Sequence, residues 1–113
     1  MSFILTSDLT EKEVIRGYKG RAIHTGNVSL MYWTVDKDAV MPVHQHKQEQ
    51  IAHVLDGSFE LTVNGETKVL VPGMVAVIPP FIPHGGKALT PCSLLDIFYP
   101  EREDYKFDES ISK

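Results

Sequence analysis

The chain has 113 residues, 42% hydrophobic and 23% charged, a composition that fits one globular domain and excludes disordered, fibrous and multidomain classes. Its 11 Lys and Arg against 15 Asp and Glu give a net charge of −4, and with no basic block this excludes nucleic acid and acidic membranes as partners. A soluble cytoplasmic protein is expected: no run of about 18 apolar residues offers a membrane span, and the opening MSFILTSDLTEKEV lacks the marks of a signal peptide.

From the N-terminus, Thr10-Glu11-Lys12-Glu13 has the form of a capping box and would open one short helix or mark a polar turn. No other helix is expected. Residues 28–35 (VSLMYWTV) and 51–55 (IAHVL) read as strands. Turn pairs then recur at an eight-residue spacing, at Asp56-Gly57, Asn64-Gly65 and Pro72-Gly73, leaving about six residues per strand in an antiparallel meander. Phe59, Leu61 and Val63 alternate with polar residues, and Thr67, Val69 and Val71 oppose Glu66 and Lys68 in the same way although Leu70 breaks the polar face, the period of a strand with one wet face. Met74 to Ile78 and Ser93 to Tyr99 are apolar on both faces, which predicts strands covered on two sides in a small barrel packed against a second copy of the chain, a homodimer. The tail, Glu101 to Lys113, is polar and reads as a solvated extension. The expectation is an all-β single domain over 1–113, with its barrel core over about 20–100 and a polar tail at 101–113. The lone Cys92 forms no internal disulfide, and without an adjacent partner it gives no reason to be a nucleophile.

The densest chemistry is His44-Gln45-His46, followed by Gln50 and, far along the chain, His84. On a strand, positions i and i+2 share a face, so His44 and His46 can offer two imidazoles to one metal ion. Were residues 44 to 50 one extended strand, its ends would lie roughly 20 Å apart, far beyond a ligand shell of about 2 Å radius. If both ends serve one metal, Lys47-Gln48-Glu49 must therefore bend the chain. Parity in the following strand sets Gln50, Ala52 and Val54 on one face and His53 on the other, so His53 reads as structural. His84 follows an apolar turn framed by Pro79, Pro80 and Pro83, rigid enough to fix one orientation of the ring. Tyr32 and Trp33 read as core or dimer contacts, His24 as a histidine without a second ligand nearby, and Glu101, Glu103 and Asp104 as a solvated face.

The stretch HQHKQEQIAHVLDG is similar to the first cupin motif, G-x5-H-x-H-x(3,4)-E-x6-G, with His44, His46 and Gly57 in place, and GMVAVIPPFIPH resembles the second, G-x5-P-x-G-x2-H-x3-N, with Gly73, Pro79 and His84 in place. Four positions depart: Gln50 stands for the usual Glu, Asp38 for the leading Gly, Phe81 for the Gly after Pro79, and Ala88 for the final Asn. The resemblance implies a jelly-roll-like β-barrel holding a divalent metal on His44, His46 and His84 with a fourth ligand, for which Gln50 offers its amide oxygen. Three imidazoles and an amide leave the ion's charge unneutralised, which favours an anionic ligand. Such a donor set suits nickel, zinc, iron, manganese or cobalt.

The His-x-His-x3-Gln set, the run IPPFIPHG and the C-terminal LLDIFYPERED look like the small pectin-degradation cupins, which linearise 4,5-unsaturated monouronates. That resemblance implies a catalytic set of Asp96, Phe98 and Arg102. Strand parity separately puts Leu94, Asp96 and Phe98 on one face. An apolar strand has no structural use for an unpaired Asp96, unless it forms an ion pair with Arg102 or Arg21. The expected function is a metal-dependent isomerase-type conversion of a small anionic carbohydrate, a 4,5-unsaturated uronate, to its linear keto form. The alternatives are a metal-dependent dioxygenase and a non-catalytic small-molecule-binding cupin.

Overall fold

In the computed structural model, which describes residues 2–106, the chain runs through β1 (Lys12–Ile15), β2 (Tyr18–His24), β3 (Ser29–Val35), β4 (Val40–His44), β5 (Glu49–Asp56), β6 (Phe59–Val63), β7 (Glu66–Leu70), β8 (Val75–Ile78), β9 (His84–Ala88) and β10 (Cys92–Tyr99). Two antiparallel sheets form, a six-stranded one in the order β1-β2-β3-β10-β5-β8 and a four-stranded one in the order β4-β9-β6-β7. The helical pieces among the described residues are 3-10 turns at Thr6–Asp8 and Glu103–Tyr105. Thr10 to Glu13 opens no helix. Lys12–Ile15 is a strand paired with β2, and its Val14 and Ile15 pack onto the core, as β-branched residues do on a pleated surface.

Of the expected meander only the central hairpin forms: β6 pairs with β7, whereas β5 and β8 pair with each other in the other sheet, so the turns at Asp56-Gly57 and Pro72-Gly73 carry the chain between sheets. The faces of β7 are also the reverse of the reading, because Leu70, opposite Phe59, is buried while Val69 is 46% exposed. Asn64 and Gly65 both have positive φ, 49° and 82°, the requirement of a tight primed hairpin turn, and they join β6 to β7 in register from Val63↔Glu66 to Phe59↔Leu70. The strands without a sequence signal are short or glycine-bearing. β9 is HGGKA, and its glycines are there for space: a Cβ on Gly86 would run into the Phe59 ring.

Three inward rungs of the larger sheet build the interior. Ser29, Phe98, Gln50 and Ile78 are aligned across β3, β10, β5 and β8; Met31, Asp96, Ala52 and Ala76 form the next rung; Trp33, Leu94 and Val54 the third. Met31, Ile78, Phe98 and Val54 are almost wholly buried, and Phe59, Leu61 and Leu70 of the smaller sheet close over them. Asp96 therefore sits at the centre of an apolar face, on the same side as Leu94 and Phe98, as parity requires.

Two expectations about coverage change. Among the described residues the outer face of β8 is open, with Val75 and Val77 exposed at 50% and 62%, so they do not supply the two-sided cover read from its apolar run. The start of the tail is not a solvated extension: Arg102 and Tyr105 are 7% and 8% exposed, because the guanidinium lies over the Phe98 ring and the Tyr105 ring packs edge-on against Trp33 instead of facing water. Residues 107–113 of that tail lie outside the described residues.

Candidate metal centre and cavity

His44 closes β4, His46 stands two residues on in the bend before β5, and His84 opens β9 directly opposite His44. The chain turns at residues 45–48, with Glu49 already in β5, so the bend comes one residue earlier than the sequence reading. Donor nitrogens of the three imidazoles lie within 4.8 Å of one another, close enough to hold one metal ion. His53 lies outside this cluster.

Each imidazole is locked by its own segment. The Nδ1 of His44 lies 2.8 Å from the Pro42 carbonyl, that of His46 3.0 Å from the Gln48 carbonyl, and that of His84 2.8 Å from the Ile82 carbonyl. A carbonyl only accepts, so each Nδ1 carries the proton and each Nε2 keeps a free lone pair, the outer support typical of metal-binding histidines. His84 Nε2 is buried with no hydrogen-bond partner. His46 Nε2 faces Gln50 Oε1 at 3.1 Å, two lone pairs aimed at the same space, an arrangement that a cation reconciles. The Gln50 amide is oriented from its other end, where its side chain hydrogen-bonds Asp96; a carboxylate can only accept, so the NH2 group faces it and the oxygen faces the histidines. Burial, with Arg102 and His84 nearby, lowers His46 to about 4, and burial also lowers His84. Both rings are thus neutral at pH 7, the state a metal requires. The donor set fits a divalent transition metal.

The motif glycine positions explain the local backbone. Gly57 and Gly73 have φ of 85° and 92°, and Asp38 and Phe81, which replace the other two glycines, keep the same left-handed conformation at 69° and 63°. Asp tolerates this region. Phe81 is 60% exposed and holds the turn by donating its N–H to the His46 carbonyl at 2.8 Å.

A cavity opens beside the histidines, bordered by Gln50, Trp33, Asp96, Phe98, Arg102 and Tyr105 among others. Trp33 Nε1 donates to Asp96 Oδ2 at 3.0 Å. Burial drives Asp96 up to about 6, against the Gln50 and Trp33 hydrogen bonds and the Arg102 charge, which pull it down. The structural ion pairs considered for Asp96 do not form. Arg102 is bonded to both oxygens of Asp104, at 3.0 and 2.8 Å, and Arg21 pairs with Glu11 at 3.6 Å. The Arg102 guanidinium stacks over Phe98 at 4.7 Å and Tyr105 at 4.2 Å, and its Nη1 is buried without a partner.

Residues 101–106 form a strap that holds Arg102 there. Ser29 Oγ accepts from the Arg102 N–H at 2.8 Å, His24 Nε2 lies 3.1 Å from the Tyr105 carbonyl, and Gly26 N–H donates to Glu101 Oε2 at 2.6 Å. Trp33, Tyr105, Asp104 and His24 thus serve the site, though their sequence context assigned them to core or surface. Only Trp33 carried a usable signal, its alternation in phase with Met31 and Val35.

Residues 31–98 match the family model described as a cupin domain, and that span exceeds half of the chain. The chain belongs to the cupin family. It is 37% identical over 89 residues to the pectin degradation protein KdgF of Dickeya dadantii (strain 3937), a match covering 75% of this chain and 81% of that protein. Among solved structures, KdgF from Halomonas sp. is similar with a TM-score of 0.87 at 33% identity, covering 92% of this chain and 97% of the other. An RmlC-like cupin from Shewanella frigidimarina NCIMB 400 is similar with a TM-score of 0.88 at 29% identity, over 93% and 96% of the two chains.

Proposed function

We propose that this protein is a metal-dependent cupin enzyme of pectin degradation that converts 4,5-unsaturated uronate monosaccharides to the linear keto form. The observation that carries the reading is the pairing, in one cavity, of the partly buried Asp96 carboxyl with an unpartnered guanidinium nitrogen on Arg102, beside three histidines able to hold a metal. The KdgF relatives support it by their name, and the apolar walls support a small ligand.

The reaction is an isomerisation. The anomeric hydroxyl loses its proton, the bond between the anomeric carbon and the ring oxygen breaks with the electron pair left on that oxygen as an enolate, and a proton added to the alkene carbon one removed from the carboxylate leaves a ketone. Arg102 receives the substrate carboxylate through its free Nη1, while Asp104 on its other edge keeps the fork oriented. Asp96, ionised, takes the anomeric proton and returns it at carbon; a group titrating near 6 is suited to move a proton both ways near neutral pH. Phe98 braces the guanidinium and walls the sugar ring. His44, His46, His84 and Gln50 would hold a divalent ion, which when bound supplies Lewis acidity and positive charge at a substrate oxygen.

The test is to incubate the metal-loaded protein with unsaturated galacturonate and follow the ultraviolet absorbance of its conjugated double bond. Loss faster than the spontaneous reaction is expected. A spontaneous rate overturns the reading, and activity only with iron and oxygen consumption points instead to a dioxygenase.

A further inference from the structure

Three buried side-chain polar atoms lack a partner among the described residues, and all belong to residues bordering the same cavity: His84 Nε2, Arg102 Nη1 and the hydroxyl of Tyr18. The first two are accounted for by a metal and an anion. The third is not. Tyr18 is 2% exposed, its ring is set edge-on against Trp33 at 5.9 Å and 83°, and Trp33 in turn donates to Asp96. The Met41 backbone stands near the phenol oxygen, but nothing is placed to accept the hydroxyl proton. The packing of this ring needs no oxygen, and a buried hydroxyl without an acceptor weakens the fold. Phenylalanine would serve the core better.

The register fixes which end of the cavity Tyr18 occupies. Tyr18 is aligned with Val35, and Val35 with Cys92, the start of β10. The Phe98 ring near the other end of that strand lies 5.6 Å from His46, and Asp96 lies between. We propose that the Tyr18 hydroxyl is a substrate-positioning group, donating a hydrogen bond to a hydroxyl or carbonyl oxygen of the sugar at the end of the cavity remote from the histidines. This rests on the uronate reading above. It deepens that reading by making recognition three-pointed: the histidine end, Arg102 for the carboxylate, and Tyr18 for a neutral oxygen. A ligand lacking an oxygen at that point leaves the hydroxyl unpaired and is disfavoured.

The test uses metal-loaded wild-type protein and Tyr18→Phe, with melting temperature and metal content measured first. The variant should melt at the same temperature or higher and keep its metal, which a purely structural hydroxyl bond would not allow. It should raise KM for unsaturated galacturonate about tenfold with kcat changed much less, the scale of one hydrogen bond, and weaken calorimetric binding of saturated galacturonate to the same degree. Turnover by the wild type with unchanged KM and binding in Tyr18→Phe overturns the Tyr18 assignment and leaves the reaction standing. Absence of turnover with galacturonate binding still weakened tenfold overturns the reaction and upholds Tyr18 as a sugar contact. A wild type that neither turns over nor binds overturns both.

Discussion

The histidine cradle and the C-terminal strap meet at Phe98, whose ring touches His46 on one side and Arg102 on the other, yet they are held in different ways. In the cradle every imidazole is fixed by a carbonyl two residues away in its own segment. In the strap every anchor is remote: Arg102 is tied to Ser29 across 73 positions, Tyr105 to His24 across 81, and Glu101 to Gly26 across 75. The orientation of each ring is therefore set by its own segment, while the pairing of β4 with β9 brings His44 and His84 together. The strap has its place only through contacts with distant parts of the barrel, so Arg102 can be loosened while the imidazoles keep their orientation.

The largest effect should come from removing a member of the cradle. His84→Ala deletes a donor outright and should weaken metal binding by more than the roughly 100-fold that loss of an outer partner can cause, with turnover falling to the spontaneous rate; metal analysis after dialysis checks it. An unchanged metal content would remove His84 from the ligand set.

Next is a pH effect in the metal-free protein. Asp96 is raised from 3.8 to about 6, so between those values the folded chain holds a proton that the unfolded chain has released, and stability falls as pH rises through the window. His46, lowered from 6.5 to about 4, acts in the opposite sense, losing stability on acidification, and the lowered His84 adds to it. The two contributions oppose each other in the wild type. Asp96→Asn removes one, so the variant should gain on the order of 3 kcal/mol near pH 7 and lose stability more steeply than wild type on acidification from about pH 6.5 to 4. Urea unfolding across that range measures it. Parallel pH profiles would contradict a raised Asp96.

Ser29→Ala addresses the strap alone. It leaves the Arg102 N–H and the His24 ring without their shared oxygen, which should cost about 1–3 kcal/mol and raise KM several-fold while metal affinity holds. A parallel loss of metal affinity would show that the two arms are not separable. The smallest effect is expected at Phe81→Gly. The left-handed backbone there is strained for phenylalanine, and relief should stabilise the protein by roughly 1 kcal/mol with activity unchanged, read from the urea midpoint.

The same contrast explains what the sequence made legible. The turn positions, the β6–β7 hairpin and the face shared by Leu94, Asp96 and Phe98 follow from glycine placement and strand parity, and His44, His46 and His84 from spacing close to bends that the prolines and positive-φ residues impose; the crossing of the chain between sheets at Asp56-Gly57 and Pro72-Gly73 does not, because turn residues do not say which strand becomes the partner. Tyr105 and Asp104 looked like part of a solvated tail because five of the six residues 101–106 are charged; only closure of the barrel brings Ser29, His24 and Trp33 to meet them. Gly20 was equally silent. A Cβ there would come within 2.8 Å of the Trp33 ring, so this glycine makes room for the indole that holds Asp96, a requirement created entirely by tertiary packing.

The most direct measurement is the rate at which metal-loaded wild type and metal-loaded Asp96→Asn consume the double-bond absorbance of unsaturated galacturonate, with metal content determined on the same samples. The account predicts acceleration by the wild type and a loss of about 10²–10⁴-fold in the variant at equal metal content. Equal rates in the two proteins would contradict it.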